Sequence, residues 1–456
     1  MIYQKNIERI YETDVLVMGG GMGGFGAAVA AARGGARVIL ADRNAMMGGM
    51  ATAGLVGPFM TCYNDSATEQ LVKGIFDELC LRLEARGGGI HPSKIEGMTP
   101  YSSYFWYSHR HVTPFLSEIL AIVMEEMAQE AGVKLLYNVQ LCDVQAENGH
   151  IDSVIVAMKE GLAAIKAKIY IDATGDADVA HMAGLPTVKG DVQTGNMQPC
   201  TLFFEVGNID REKYIGELEC RKAAGELGVP AKSCWHWLVD EGRRTGEWDI
   251  ARDEIGNYEQ NIPGRFKINC TRMANVDATD TEQMTAAIID GRKQVQRIVA
   301  FMKKHIPGCE DIQVLQVASA LGVRETRHIV GEYTLTVEDI MARKHFDDAI
   351  CSFGYAVDVH NSTGGGVHFQ CVNEYYTIPY RSLVPAGCDN LLAAGRCISG
   401  TSGAAASYRV MPACVATGEA AGTAAAMAAG EGVAPADIDI VKLRAKLIEN
   451  GAVIKE

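Results

Sequence analysis

The fold is decided by the stretch DVLVMGGGMGGFGAAVAAARGGARVILADR, residues 14–43. Its first five residues and the later run ARVILAD are rich in β-formers and mostly apolar, which predicts two short buried strands. Between them, the alanine-rich segment from Met22 to Arg33 predicts a helix. The stretch therefore predicts a β-α-β unit with a glycine-rich turn after its first strand.

Three glycines in that turn, Gly19, Gly21 and Gly24, fit the spacing G-x-G-x-x-G. The glycines permit a tight turn, close approach of the backbone to a pyrophosphate, and close packing of the helix on the strand. The N-terminus of the helix would face the phosphates with free N–H groups. Asp42 follows Gly24 by 18 residues, where a carboxylate can accept hydrogen bonds from a ribose diol. These features predict a dinucleotide site and leave FAD and NAD open.

Three further segments favour a more extended ligand. After the second strand comes NAMMGGMATAGLVGP, residues 44–58, which runs through small residues instead of entering another helix. The segment AKIYIDATGDADVAHMAG, residues 167–184, predicts a strand at 168–172 that is broken at 174–176. Residues 390–430 predict a strand, a glycine turn and a long helix that begins near Val410, because Pro412 suits a first helical turn.

The chain resembles FAD-dependent oxidoreductases of the two-dinucleotide-binding-fold type, and is most similar to a bacterial family of FAD-dependent oxidoreductases. The likeness is carried by GGGMGGFGAAVAAARGGARVILADR, IDATGDADVAHMAG, LGVRETRHIVGEYTL, YYTIPYRSLVP and NLLAAGRCIS followed by YRVMPACVATGEAAGTAA. It also implies a distant likeness to fumarate reductase flavoproteins. Two features depart from the family pattern: Asp42 stands where the ribose acid is usually Glu, and the loop TSGAAASY is smaller and less polar.

The resemblance implies an α/β fold class, in which a Rossmann-like FAD-binding domain is built from N- and C-terminal segments around an inserted α+β substrate or cap domain. The predicted divisions are residues 1–190, 191–372 and 373–456. The segment TLTVEDIMA, residues 334–342, predicts a strand that runs into a capped helix. The residues predicted to bind FAD, without a covalent link, are Gly19, Gly21, Gly24, Asp42, Arg43, Gly48, Gly49, Val139, Thr174, Gly175, Asp176, Gly395, Arg396, Val410 and Met411.

Polar residues near these segments are the candidates for catalysis. Arg324 and Arg327 lie in GVRETRHIVGEY and could pair with a carboxylate, or with Glu325 in an internal network. His360 follows a predicted strand and could donate a proton or only orient a neighbour. Arg409 precedes the C-terminal helix and could stabilise negative charge on the flavin or bind an anionic substrate.

Composition and sequence patterns narrow the classes of molecule that the chain is expected to bind. With 48% hydrophobic and 21% charged residues, a net charge of −14 and no long basic run, the chain is expected to bind no nucleic acid. No apolar run is long enough to span a bilayer, and no export signal is visible, so no membrane association and a cytoplasmic location are expected. No C-x-x-C pair occurs among the thirteen cysteines, and His109 and His111 have no third ligand nearby, so no metal is expected.

The sequence therefore predicts an FAD-dependent oxidoreductase that transfers hydride between the flavin and a small organic substrate, for which a carboxylic acid is one candidate. One alternative is an enoate or carboxylate reductase similar to fumarate reductase. Another is a non-catalytic or electron-relay flavoprotein that acts with a partner chain. An electron-transfer partner and a homo-oligomer stay open.

Overall fold

The computed structural model describes residues 6–105, 109–227, 234–362 and 366–455. The main sheet is built from strands β1 (Arg9–Met18), β2 (Val38–Asp42), β3 (Lys134–Tyr137), β4 (Gln140–Glu147), β5 (His150–Met158), β6 (Gly161–Asp172) and β17 (Leu391–Ala393). Their order is β3-β2-β1-β6-β5-β4, and β17 pairs with the last residues of β6. β1, β2, β3, β6 and β17 run parallel, while β4 and β5 form an antiparallel meander with β6.

A second sheet is antiparallel and has the order β11-β8-β10-β9. Its strands are β8 (Phe204–Gly207), β9 (Gly256–Glu259), β10 (Phe266–Asn269) and β11 (Gln313–Val317). Three antiparallel strand pairs complete the ladders: β7 (Thr187–Lys189) with β12 (Arg327–Ile329), β13 (Ala349–Phe353) with β16 (Tyr376–Pro379), and β14 (Val357–His360) with β15 (Val367–Gln370).

The α-helices lie between and around these sheets. They are α1 (Met22–Arg33), α2 (Ile75–Ala85), α3 (Ser117–Glu130), α4 (Asp178–Met182), α5 (Arg211–Ala223), α6 (His236–Thr245), α7 (Thr281–His305), α8 (Val337–Met341), α9 (Ser402–Tyr408), α10 (Met411–Glu431) and α11 (Ile440–Glu449). Within the described ranges, no helix is both long enough and apolar enough to cross a bilayer.

Helices α1 and α10 pack unusually closely because glycines face each other along their contact. A Cβ on Gly418 would collide with the carbonyl oxygen of Gly23, and one on Gly422 would collide with that of Ala27. A Cβ on Gly26 would lie 2.5 Å from the carbonyl oxygen of Val415. The two backbones therefore touch, and this contact fixes the N-terminal end of α10 beside that of α1.

The structure confirms the predicted α/β fold class, with a Rossmann-like parallel sheet and additional sheets. α10 begins at Met411 with Val410 as its N-cap, as predicted. β6 begins at Gly161 rather than at residue 168, because its first half pairs with β5.

The structure differs from the sequence prediction in front of α8. The strand expected in TLTVEDIMA is wrong within the described residues: Leu335 forms only an isolated bridge to Gly400. The next residue, Thr336, already caps α8 in a capping box with Asp339. The division at residues 190 and 372 stays a prediction, and the apolar core around the main sheet also contains Ile350 and Phe353.

Candidate active site

Most of the predicted site residues meet in one cavity at the carboxyl ends of the parallel strands. The helices α1 and α10 both begin at this cavity, and residues from the second sheet close its other side. The predicted residues that line it are Gly19, Gly21, Asp42, Arg43, Gly48, Gly49, Thr174, Gly175, Asp176, Arg324, His360, Gly395, Arg396, Arg409, Val410 and Met411. In open α/β folds, ligands bind outside the carboxyl ends of the parallel strands.

The glycine-rich turn exposes backbone to the cavity. Gly19 has φ +100°, and a Cβ there would lie 2.4 Å from the carbonyl oxygen of Ala173. A Cβ on Gly21, by contrast, would meet no atom within 4 Å, so this glycine keeps open space in front of the first turn of α1. The first N–H groups of a helix have no partners within the helix. The turn therefore offers free N–H donors beside an empty volume.

Asp42 ends β2 with its carboxylate held in place by backbone. Its Oδ2 accepts a hydrogen bond from the Gly20 N–H at 2.5 Å, and its Oδ1 accepts one from the Asn44 N–H at 2.6 Å. Each oxygen keeps a further lone pair, and the residue lines the cavity although it is only 5% exposed. The arrangement can accept hydrogen bonds from a diol.

The N-terminus of α10 approaches the same cavity. Val410 adopts an extended conformation as N-cap, and Pro412 occupies the second helical position, where the missing N–H has no partner to lose. Val410, Met411 and Cys414 all line the cavity. Two helix N-termini, each with a partial positive charge, thus face one volume.

Asp176 and Arg396 form a buried ion pair in the cavity wall. Arg396 Nη2 lies 2.6 Å from Asp176 Oδ1, which also accepts a hydrogen bond from the Thr326 hydroxyl at 2.5 Å. Burial alone would raise the pKa of Asp176, but Arg396 and Thr326 outweigh burial and lower it. The carboxylate is therefore ionised, and the charge of Arg396 is neutralised inside the protein.

Four ionisable side chains form the polar end of the cavity: Arg324, Asp358, His360 and Arg409. Arg324 Nη1 donates to the carbonyl oxygen of Pro199 at 2.5 Å and to the Thr201 hydroxyl at 2.7 Å. Burial, followed by repulsion from Arg409, lowers the pKa of Arg324 to about 9. Burial also lowers the pKa of Arg409, whose Nη2 donates to Gln198 Oε1 at 3.1 Å. Buried guanidinium groups with unfilled donors are typical of sites that bind a carboxylate.

Asp358 is the nearby carboxylate, and His360 contacts it. The two atoms Asp358 Oδ2 and His360 Nε2 are 3.5 Å apart, and Arg409 Nη2 lies 4.0 Å from the same oxygen. Burial opposes ionisation of Asp358, but the hydrogen bond from His360 and the charges of Arg409 and Arg324 outweigh it and hold the pKa well below its usual range. Asp358 is therefore an anion that orients the cations around it.

His360 is neutral in this arrangement. Its Nδ1 lies 3.3 Å from Nη1 of Arg252, and a guanidinium can only donate, so Nδ1 carries no proton. The proton is on Nε2, which faces Asp358. Burial and the charge of Arg324 lower the pKa of His360 well below its usual value. Of the two roles open from the sequence, this geometry suits orientation better than proton donation.

Three predicted residues are not brought to the cavity. Gly24 packs against the carbonyl oxygen of Gly19, which it would strike if it carried a Cβ, so its role is close helix packing. Val139 is buried, and its N–H donates to the carbonyl oxygen of Asp42. Arg327 points to α4, where Nε donates to the Asp176 carbonyl oxygen at 2.9 Å and Nη2 pairs with Asp178. The catalytic placement expected for Arg327 is therefore not observed.

Other cavity residues were missed or misread in the sequence. His109 and Tyr258 line the cavity with nearly parallel rings, whereas the spacing of His109 and His111 in the sequence suggests only a metal ligand. Among the described residues, no group of three or more potential ligands could hold a metal ion. Asp358 was missed although strand alternation places it on the same face as His360. Tyr355, which donates to Asp358 at 3.4 Å, gave no sequence signal.

The residues present fit FAD. The open space at Gly21 lies beside unpaired helical N–H groups, which suits a pyrophosphate. Asp42 offers acceptors at the next strand, which suits a ribose. The start of α10 adds a second partial positive charge at the cavity, which would suit the negative charge of a reduced flavin.

Comparisons with known proteins agree with this fit. A family model described as FAD dependent oxidoreductase matches residues 14–447. Thiamine thiazole synthase from Aeropyrum pernix is 28% identical over 209 residues, which make up 43% of this chain and 66% of that protein. The match thus covers slightly less than two thirds of the relative's length.

One of the solved structures that match shares the architecture at low identity. A p-nitrophenol 4-monooxygenase from Pseudomonas putida DLL-E4 is 11% identical with a TM-score of 0.51, covering 98% of this chain and 88% of that one. A geranylgeranyl bacteriochlorophyll reductase-like protein from Thermoplasma acidophilum is 13% identical with a TM-score of 0.44, covering 97% and 85%. The first likeness shows a shared fold and says nothing about substrate.

The comparisons do not show the distant likeness to fumarate reductase flavoproteins that the sequence indicated. The family match runs from the first strand of the main sheet into α11. The chain therefore belongs to the family of FAD dependent oxidoreductases, and it is an enzyme that uses FAD.

Proposed function

We propose that this enzyme exchanges a hydride between FAD and a small organic anion that binds beside Arg324 and Arg409. One observation carries the proposal: a single cavity joins the dinucleotide cradle at Gly21 to this pair of partly buried guanidinium groups. A cation buried without a full set of partners favours an anionic ligand. The substrate is thus expected to carry a carboxylate or a similar group.

Residues at the carboxyl ends of the main-sheet strands, and in the turns and helix starts that follow them, would hold the cofactor. The turn at Gly19 and Gly21 and the first turn of α1 would bind the pyrophosphate, and Asp42 would bind the ribose. The remaining contacts would come from Arg43, Gly48, Gly49, Thr174, Gly175, Asp176, Gly395, Arg396, Val410 and Met411. FAD, when bound, supplies the capacity to accept or donate a hydride.

The polar end would bind and orient the substrate. Arg324 is fixed by Pro199 and Thr201, which leaves its other N–H groups for the ligand. Arg409 is held by Gln198 and by the carbonyl oxygen of Asp358. Two guanidinium groups fixed in this way can grip a carboxylate without reorganising during the reaction.

The proposal is tested by mixing the holoenzyme with organic acids in the absence of oxygen. Photoreduced enzyme is mixed with 2-keto and 2-enoic acids, oxidised enzyme with the matching hydroxy and saturated acids, and the visible flavin absorbance is followed. We expect at least one acid to change the oxidation state of the flavin, and the neutral amide of the same acid to leave it unchanged. Equal reaction of acid and amide would remove the role assigned to the arginines.

Variants of the two arginines refine this test. Arg324→Met and Arg409→Met should keep FAD and slow the reaction by roughly 10²–10³, the scale of losing one preorganised charge stabiliser. Arg381→Met is the matched control, because Arg381 is half exposed and pairs with Asp348 at 2.9 Å, away from the cavity. A rate loss in the control as large as that in the two variants would contradict the assignment.

FAD is expected to be held without a covalent bond. Cys414 is the cysteine that lines the cavity among the described residues, and burial raises the pKa of its thiol to about 12. A protonated thiol is a poor nucleophile toward the flavin. Acid precipitation should therefore leave all of the yellow colour in the supernatant, and colour retained in the pellet would show a covalent link.

A further inference from the structure

Side chains from three parts of the chain converge on the end of β14. We call them the β14-end cluster: Gln198, Arg252, Arg272 and Arg409. Arg409 donates to the carbonyl oxygen of Asp358 at 3.0 Å, and Gln198 Oε1 accepts from the backbone N–H of His360 at 3.3 Å. Arg252 donates to the His360 ring at 3.3 Å, and Arg272 donates to the carbonyl oxygen of Asn361. The cluster thus surrounds four consecutive residues.

Each member of the cluster has a buried donor without an acceptor among the described residues. These atoms are Nε2 of Gln198 and the Nε atoms of Arg252, Arg272 and Arg409. Arg252 and Arg272 are only 5% and 6% exposed, so solvent reaches them poorly. Buried polar groups in folded proteins are nearly always paired. Four unpaired donors around one strand end therefore point to an acceptor that binds there.

Charge in the same region is unbalanced. Four guanidinium groups are involved, those of the three cluster arginines and of Arg324. Within the described residues, two carboxylates lie 4 Å or less from these groups. Glu254 is 3.4 Å from Arg252, and Asp358 is 4.0 Å from Arg409. Asp253 is already paired with Arg243 at 2.7 Å. Each pair of arginines thus keeps one positive charge in excess of its carboxylate.

The two pairs occupy different positions. Arg324 and Arg409 line the cavity directly. Arg252 and Arg272 flank β9 and β10 of the second sheet and lie behind the lining, where Arg252 contacts the ring of His360 and Arg272 the carbonyl oxygen of Asn361; of these four residues, His360 lines the cavity. One carboxylate beside the first pair cannot satisfy the donors of the second pair.

We propose that the β14-end cluster binds a second anionic group at Arg252 and Arg272, so that the substrate is a dianion. This inference rests on the proposed function, which assigns the first anionic group to Arg324 and Arg409. The second group is a carboxylate or a phosphate, because both accept hydrogen bonds from guanidinium groups in the same planar geometry.

Binding of matched acids tests the inference without turnover. The oxidised holoenzyme is titrated with malonate, succinate and glutarate, and with the monoacids propionate, butyrate and valerate, while the flavin absorbance spectrum is followed. Phosphoglycolate forms a third arm. We expect the best dicarboxylate or phosphoglycolate to bind ~10–100-fold more tightly than the best monoacid, the scale of added charge-assisted hydrogen bonds. Whichever of the two binds more tightly identifies the second group.

Variants locate the effect. Arg272→Met should remove most of the advantage of the diacid while leaving the affinity for the monoacid nearly unchanged. Arg272→Gln, which keeps a donor, provides a second variant if the first does not fold. Arg297→Met is the control, since Arg297 is half exposed on α7 and pairs with Asp249, outside the cluster; it should leave both affinities unchanged.

The outcomes separate the two proposals. Equal affinity for matched diacids and monoacids would overturn the second anionic group and leave the proposed function intact. A spectrum that no acid perturbs would overturn both. A preference for the diacid that survives in Arg272→Met would overturn the assignment to the cluster.

Discussion

At the scale of single residues, Gly21 separates cofactor binding from folding. Its backbone has φ −66°, which any residue can adopt, and a Cβ there meets no protein atom within 4 Å. Gly21→Val should therefore fold normally and fail to bind FAD, because the side chain fills the space meant for the pyrophosphate. Circular dichroism of the apoprotein and titration with FAD measure the two properties.

Gly24→Val is the matched control for that variant. A Cβ at Gly24 would strike the carbonyl oxygen of Gly19, so this change should damage the fold and cofactor binding together. If Gly21→Val and Gly24→Val behave alike, the glycine turn acts only as a structural element.

Asp42→Ala should weaken FAD binding without abolishing it. The loss is expected to be about 1–3 kcal/mol, the scale of a buried hydrogen-bonding group. Because the carboxylate also accepts from the N–H groups of Gly20 and Asn44, the apoprotein should lose stability as well. Fluorescence titration with FAD and thermal melting of the apoprotein check both effects; unchanged affinity would show that the carboxylate serves the turn alone.

The sequence predicted these residues because their geometry is local. Gly19, Gly21 and Asp42 belong to one β-α-β unit, whose spacing sets their positions. Arg252, Arg272 and Gln198 could not be found in this way, since the second sheet and the β14 hairpin bring them together from distant segments. Closeness in the sequence also suggested the same role for Arg324 and Arg327. In the fold, Arg324 lines the cavity, while Arg327 pairs with Asp178.

At the scale of elements, the contact between α1 and α10 decides stability. A Cβ at Gly422 would collide with the carbonyl oxygen of Ala27, so Gly422→Ala should destabilise the protein by about 1–3 kcal/mol, the usual cost of overpacking, and weaken FAD binding. Thermal melting with and without FAD measures this.

Gly430→Ala, on the same helix, provides the opposite expectation. Its Cβ would meet nothing within 4 Å, so the higher helix propensity of alanine should stabilise the protein by up to ~1 kcal/mol. Similar losses from both changes would mean that the helix tolerates no alanine, whatever it packs against.

Elements were predictable where a chemical signal marks their ends. Pro412 marked the start of α10, and Thr336 marked that of α8. The first half of β6 gave no such signal, because it is set by pairing with β5 rather than by its own residues. The strand expected before α8 failed because a β-rich run has no partner along most of its length.

At the scale of the whole molecule, buried titratable groups shape stability against pH. Burial lowers the pKa of Lys267 to about 7 from 10.5. Between these values the unfolded chain binds more protons, so the free energy of unfolding rises with pH by up to about 1.4 kcal/mol per unit from this group. Lys267→Met should remove that rise, as measured by urea unfolding at pH 7, 8 and 9 with FAD held constant.

Glu419 should act with the opposite sign over a lower range. Burial raises its pKa to about 7 from 4.5, so the folded chain binds more protons between these values and stability falls as pH rises. Glu419→Gln should therefore gain stability relative to the wild type from pH 5 to pH 7. A difference between the two proteins that stays constant across this range would show that Glu419 keeps its charge when buried.

The contact between α1 and α10 joins two helices that are synthesised far apart in time. Gly23 and Gly418 touch in the folded enzyme, yet almost the entire chain lies between them. At roughly 5–20 residues per second, a ribosome needs on the order of 20–80 seconds to make the intervening segment. During that interval the nascent β-α-β unit lacks α10. Its glycine-rich helix face is therefore uncovered, and only part of the cofactor site is present. FAD can be captured only near the end of translation, and chaperones that shield apolar helices have their longest opportunity on α1.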